Sequence, residues 1–225
     1  MVDREVLSFL DGYMYRVLLD MLRSAGAEES GLYDFYKARL ELERHALTGY
    51  DCFLLEYLVA HFDRGSRSVV HAGIGVGTLT TALAVAGFGV TGLERDRKRY
   101  LAASRVRAAV CDIWSDVAGR YRLIEGTFPA AVLDTPSVSE NSILVFTNCG
   151  ADWSSSFTNS IIDLFSRFGD VLLDTRLFGT VRNAPEERDA LIDAIRQRGL
   201  TVTALPETQQ LGAYYHHIKR GSTVG

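Results

Sequence analysis

Gly73, Gly75 and Gly77 stand in the run His71-Ala-Gly-Ile-Gly-Val-Gly-Thr78, and Glu94 follows Gly77 by seventeen residues. Glycines at alternate positions give a turn without Cβ atoms. Its backbone takes dihedrals that other residues resist, and a ligand can approach it closely. A carboxylate set beside such a turn can accept both hydroxyls of a ribose. A second group of candidates is Tyr214-Tyr215-His216-His217 near the end of the chain. A neutral imidazole there, His216 above all, is of the type that serves as a general base. Strand alternation sends Tyr214 and His216 to one face and Tyr215 and His217 to the other, so only one pair can face a ligand. No further ligand stands at a spacing that would complete a metal site with them, and none is expected.

Elements of alternating type would position these residues. Residues 68–72 read as a buried strand, 78–86 as a helix whose free N–H groups face the glycine turn, and 89–93 as a second strand that Glu94 closes. The alternation continues with a helix at 98–109 and strands at 121–125 and 142–148. A helix at 156–168, a strand at 170–175 and a helix at 185–199 follow, and strands at 200–205 and 211–219 close the series. Strands that alternate with helices indicate parallel βαβ units. Only residues 206–210 separate the last two strands, too few for a crossover helix, so the last strand should be antiparallel. Ahead of this lies an N-terminal helical segment. Its first helix carries Val6, Leu10, Met14, Leu18 and Met21 at helical spacing, with Gly26 as a stop. A second runs from a Ser30 cap through Leu32, Phe35, Tyr36, Leu40 and Leu47, and a third spans 51–62. The expected domains are a helical cap at 1–64 and an α/β domain at 65–225.

A dinucleotide fingerprint, G-x-G-x-x-G/A, needs a third small residue, which here falls on Thr78 or Thr80, so a nicotinamide enzyme is disfavoured. The spacing is instead G-x-G-x-G with the acid at Glu94. It resembles motif I of the class I S-adenosylmethionine (SAM)-dependent methyltransferases, and the resemblance covers roughly residues 65–220. It implies a Rossmann-like α/β fold with a seven-stranded, mostly parallel sheet and an antiparallel last strand. It also implies SAM as cofactor, with the loop of Gly73, Gly75 and Gly77 along the methionine part and Glu94 on the ribose. Thr127 and Phe128 fall where the family holds adenine, with Thr in place of the commoner Asp; Phe128 can equally be core. Asn148 falls where the family faces the methyl group and the acceptor. Shaping its own turn is an equal role for it. His71 departs from the family, which has Asp or Glu two residues before the first glycine, beside SAM's ammonium group. A neutral His can accept a hydrogen bond there, whereas a protonated one repels the cation. A His bonded within the loop is the simpler role. Residues 147–150 are not the Asn/Asp-Pro-Pro-aromatic motif, so methylation of base or amide nitrogen loses its best sequence support.

Size and composition suit one soluble α/β domain with a small helical addition. The 225 residues are 47% hydrophobic and carry a net charge of -4, which gives no basic footprint for nucleic acid. Arg95, Arg97, Lys98 and Arg99 cluster after Glu94 and read as the solvated start of a helix. Cys52, Cys111 and Cys149 are far apart, Cys149 reads as an inert buried thiol, and neither a signal segment nor a membrane span is expected. The expectation is a cytoplasmic SAM-dependent methyltransferase acting on a small molecule. Its tyrosine-rich N-terminal helices, with Tyr13, Tyr15, Tyr33, Tyr36 and Tyr50, would cover the acceptor pocket or form a homodimer interface. The alternatives are another SAM-using transfer, such as aminocarboxypropyl transfer, and a methyltransferase-like fold that binds a ligand or partner without catalysis.

Overall fold

The computed structural model describes residues 3–24, 40, 44–132, 138–146, 155–175, 185–211 and 214–220. The strands are β1 (Ser68–Ala72), β2 (Gly89–Glu94), β3 (Tyr121–Glu125), β4 (Ser142–Phe146), β5 (Asp170–Asp174), β6 (Leu200–Ala204) and β7 (Tyr215–Arg220). They form one seven-stranded sheet of order β3-β2-β1-β4-β5-β7-β6. The pairs β2–β3, β1–β4 and β4–β5 are parallel, and β7 is antiparallel to both β5 and β6. The Rossmann-like architecture is therefore present, with β7 between β5 and β6. Every residue of β4 and of β5 is buried, as expected of parallel strands covered on both faces. The connection from β6 to β7 is a 3-10 helix, Pro206–Leu211, so β7 starts four residues later than the expected 211.

The helices are α1 (Arg4–Ser24), α2 (Gly49–His61), α3 (Thr78–Val85), α4 (Arg97–Ile113), α5 (Val117–Arg120), α6 (Ser155–Phe165) and α7 (Pro185–Gln197). By their contacts the residues form two compact units. One comprises Met1–Arg67 with Ile74–Thr127, the other Ser68–Gly73 with Phe128–Gly225. In the first unit, α1 buries Leu10, Met14, Leu18 and Met21 along one stripe and packs on α3 and α4. In the second, Ile161, Ile162, Leu164 and Phe165 of α6 and Leu191, Ile192 and Ile195 of α7 supply the buried apolar side chains.

Three expectations change in detail. Helix α4 runs over 97–113, longer than 98–109 mainly at its far end; at its start the Asp96 side chain accepts the Arg99 N–H and caps it. Residues 44–48 are not helical, although the second expected helix extended to Leu47. Arg44 is left-handed with φ 57°, and the Asp11 carboxylate accepts the N–H groups of Ala46 and Leu47 at 2.9 and 2.7 Å. Those amides bond to a side chain on α1 rather than to a helical ladder. Thr48 and Asp51 then form a capping box that starts α2 at Gly49. Of the rest of the second helix only Leu40 is described, helical and buried; Ser30, Tyr33 and Tyr36 lie outside the described residues, as does the Gly26 stop.

Candidate functional site

The glycine turn is fastened to the carboxyl end of β2. Gly73, Gly75 and Gly77 have φ of 71°, 60° and 80°, all in the left-handed region that favours glycine. Ile74 donates its N–H to the Leu93 carbonyl at 3.1 Å, and Gly75 donates to Glu94 Oε2 at 2.8 Å. The other carboxylate oxygen, Oε1, accepts the Asp96 N–H at 2.9 Å. Glu94 is only 4% exposed, so these two charge-assisted bonds compensate its burial. Each oxygen keeps a second lone pair. The carboxylate therefore ties the loop to the start of α4 while still able to accept hydroxyls. The Glu94 carbonyl takes the Gly126 N–H at 3.0 Å, which draws the segment after β3 to the same strand end.

Support beneath the loop comes from residues that the sequence did not single out. A Cβ on Gly77 would stand 3.1 Å from both Ala103 Cβ and the Tyr121 hydroxyl. A Cβ on Gly92 would stand 3.1 Å from the side chains of Ile74 and Thr80. The small residue in β2 thus makes room for the loop's Ile74. Tyr121 is fully buried beside Thr80 and Thr81, and burial raises its phenol pKa well above the ordinary value, so it stays neutral. The signal for Gly92 was a glycine inside an apolar strand, which marks close approach. Tyr121 carried no comparable signal.

His71 lies in β1 opposite Val145 of β4 and is 4% exposed. Burial pushes its pKa down to about 4, so the imidazole is neutral at physiological pH. Thr127 is exposed. Phe128 packs on Phe146, the last residue of β4, with ring centroids 5.2 Å apart, so at least part of its role is packing. Asn148 and Cys149 lie outside the described residues. Of the basic cluster, Arg97 pairs with Glu125 and lies over the Tyr100 ring, and all four cations are exposed.

At the carboxyl end of β5 the groups are side chains. Asp174 and Thr175 are fully buried. The Tyr214 carbonyl accepts the Thr175 N–H at 3.0 Å and its hydroxyl at 3.1 Å, and His216 Nδ1 lies 3.2 Å from the same oxygen. His216 is partly exposed, whereas His217 is buried on the other face, with Nε2 2.7 Å from Asp170 Oδ1. The alternation expected for this strand holds, and His216 is the accessible member.

Two N-terminal aromatics have defined partners. Tyr13 donates its hydroxyl to the Ala109 carbonyl at 3.1 Å, and Phe9 packs edge-on against Trp114 at 5.7 Å. Both lie toward the carboxyl end of α4. That helix has 17 residues, so its far end is about 25 Å from the end that follows Glu94. Phe9 and Tyr13 therefore attach α1 to α4 at a distance from Glu94.

No family model matches the chain, and no curated protein matches it. Solved structures do. One is a magnesium protoporphyrin IX methyltransferase from Synechocystis PCC 6803 with bound SAM, at TM-score 0.59 and 15% identity, covering 92% of this chain and 97% of that one. A second is a putative O-methyltransferase from Klebsiella pneumoniae, at TM-score 0.57 and 15% identity, covering 98% and 96%. A third is a glycopeptide N-methyltransferase complexed with sinefungin, at TM-score 0.55 and 16% identity, covering 79% and 89%. At such identities the likeness is one of fold: the chain has the Rossmann-like fold of the class I methyltransferases. Among the described residues, no helix is long and apolar enough to cross a membrane.

Proposed function

On this fold, we propose that the protein is a cytoplasmic SAM-dependent methyltransferase for a small-molecule acceptor. The observation that carries the reading is the junction of Gly75, Glu94 and Asp96. A buried carboxylate positioned by two main-chain amides, with a lone pair to spare on each oxygen, suits a vicinal diol. Gly73 and Gly75 leave main chain partly uncovered beside it, while Gly77 is buried against Ala103 and Tyr121, and the first turn of α3 presents N–H groups to the same loop. In this reading the loop of Gly73, Gly75 and Gly77 holds the methionine part and Glu94 the ribose. Thr127 and Phe128 attend the adenine, and Asn148 the reacting end. SAM supplies a methyl group already activated on a sulfonium. The protein's own task is then to align the acceptor and exclude water. His71 suits the reading because a neutral imidazole adds no positive charge near the cationic cofactor. The N-terminal segment would supply a cover for the acceptor or a subunit interface through residues other than Phe9 and Tyr13, which are taken up by α4.

The test is a thermal melt with SAM, with its demethylated product and with NAD, followed by mass spectrometry of a metabolite extract treated with enzyme and methyl-labelled SAM. Ligand well above its Kd stabilises the native state by mass action, so SAM should raise Tm by a few degrees. A labelled small molecule should then appear. A response to NAD and none to SAM overturns the reading. Transfer of the aminocarboxypropyl group, visible as a different mass gain, replaces methyl transfer with the other chemistry.

A further inference from the structure

We infer that His216 is the general base of the reaction and that the acceptor reacts through a weakly acidic hydroxyl. The inference rests on the methyltransferase reading above. Its geometric ground is the contact of Nδ1 with the Tyr214 carbonyl at 3.2 Å. A carbonyl oxygen has no proton to give, so Nδ1 must carry the hydrogen. The neutral ring then has its lone pair on Nε2, which makes no hydrogen bond among the described residues. The Thr175 hydroxyl, 3.5 Å from Nδ1 and 3.1 Å from the same carbonyl, supports the ring from the side away from that lone pair. This is the arrangement of a base: one nitrogen anchored as a donor, the other left open.

Place and charge agree. His216 lies opposite Leu173, one residue short of the carboxyl end of β5, and Thr175 is on the same face. The adjoining strands β1, β4 and β5 are parallel, so Gly73, just beyond β1, and His216 stand toward the same edge of that block. Ligands of open α/β sheets bind along this edge. Three strand spacings separate β1 from β7, about 14 Å between backbones, a span that the methionine end of SAM and the His216 side chain would close from its two sides onto one acceptor oxygen. Around His216, burial, Arg188 and Arg196 lower the imidazole pKa while the Tyr214 carbonyl and Asp174 raise it, and the balance is downward. The ring is thus in its basic form at neutral pH.

The step balances without another reactant. The acceptor O–H proton passes to Nε2, and an oxygen lone pair forms the new bond to the methyl carbon. The methyl–sulfur bonding pair remains on sulfur, which becomes a neutral thioether. The imidazolium then loses its proton to water. An acceptor that is already anionic or has a free amine lone pair would need no such base.

The experiment uses the full chain, methyl-labelled SAM and a metabolite extract, with wild type beside His216→Asn. The Asn side-chain N–H can replace Nδ1 toward Tyr214 but offers no basic lone pair. Turnover should fall by about 10²–10⁴-fold with the calorimetric Kd for SAM unchanged. The wild-type product should carry its methyl on oxygen, and its rate should rise with pH along a limb that His216→Asn lacks. Nitrogen NMR should find the Nδ1–H tautomer and a pKa below about 6.5. Equal turnover in the variant, an Nε2–H tautomer, or a methyl on carbon or sulfur overturns the inference and leaves the methyltransferase reading standing. SAM binding without labelling by wild type would instead sink both.

Discussion

At the carboxyl end of β2 main-chain amides are the donors and the Glu94 carboxylate their chief acceptor, whereas at that of β5 side-chain groups gather on one main-chain carbonyl. At β2 the amides of Ile74, Gly75, Asp96 and Gly126 converge on Leu93 and Glu94. At β5 the Thr175 hydroxyl and the His216 ring share one carbonyl. Main-chain donors are present whatever the side chains, provided that glycine permits the turn. A site of that kind suits a cofactor whose shape is fixed. Side-chain groups change with each substitution, and they suit the place where an acceptor is chosen. The two regions should therefore respond differently to mutation.

The largest effect is expected at Glu94. Its removal takes the acceptor from two partly buried amides at once, those of Gly75 and Asp96, at up to about 1–3 kcal/mol each. Glu94→Ala should lose roughly 2–5 kcal/mol in chemical denaturation and also bind SAM at least tenfold more weakly. Glu94→Gln, which keeps one acceptor oxygen, should lose about half as much stability. The two amide bonds make Glu94 structural as well as ligand-binding. If Glu94→Ala is as stable as wild type, the main-chain account of this end fails.

That contrast also marks what the sequence made legible. The glycines and Glu94 lie within one strand–turn–helix–strand stretch, where spacing alone implies proximity. Gly92 and Tyr121 support the loop through contacts across strands, and periodicity does not report those. Asp11 could not be read as an anchor, because its partners Ala46 and Leu47 lie 35 and 36 residues away. His216 was legible as a candidate base on one of two opposite strand faces, and the structure makes it the accessible one. The Tyr214 carbonyl that decides its tautomer is only two residues away, but that contact depends on local backbone geometry, which periodicity does not report. Antiparallel β7 was foreseen from the short connection, but its place between β5 and β6 was not, since loop length sets direction and leaves position open.

His71 gives the next effect. Its folded pKa of about 4 lies below the unfolded value of about 6.5, so between these values the unfolded chain binds more protons. The stability is full above pH 6.5 and is lost as pH falls toward 4, by about 3 kcal/mol at the limit. Denaturation curves at pH 7, 5.5 and 4.5 should show this slope in wild type and a flatter one in His71→Asn. Parallel slopes would mean that His71 is protonated in the fold.

Thr175→Val sharpens the comparison at the smallest scale. It removes one hydroxyl bond to the Tyr214 carbonyl, worth about 0.5–1.5 kcal/mol, and should leave SAM affinity unchanged. A SAM Kd that weakens in this variant would mean that side chains at the β5 end take part in holding the cofactor and would remove the distinction drawn above.

The most direct measurement is a titration of nitrogen-15-labelled protein with SAM, followed through its amide resonances. The Gly75 and Asp96 amides both bond to Glu94, so a ribose arriving on that carboxylate must alter them. The expected result is that these two, with Gly77, shift in proportion to occupancy and saturate at one SAM per chain. SAM that binds while the Gly75 and Asp96 resonances stay in place, or that moves no resonance at all, contradicts the account.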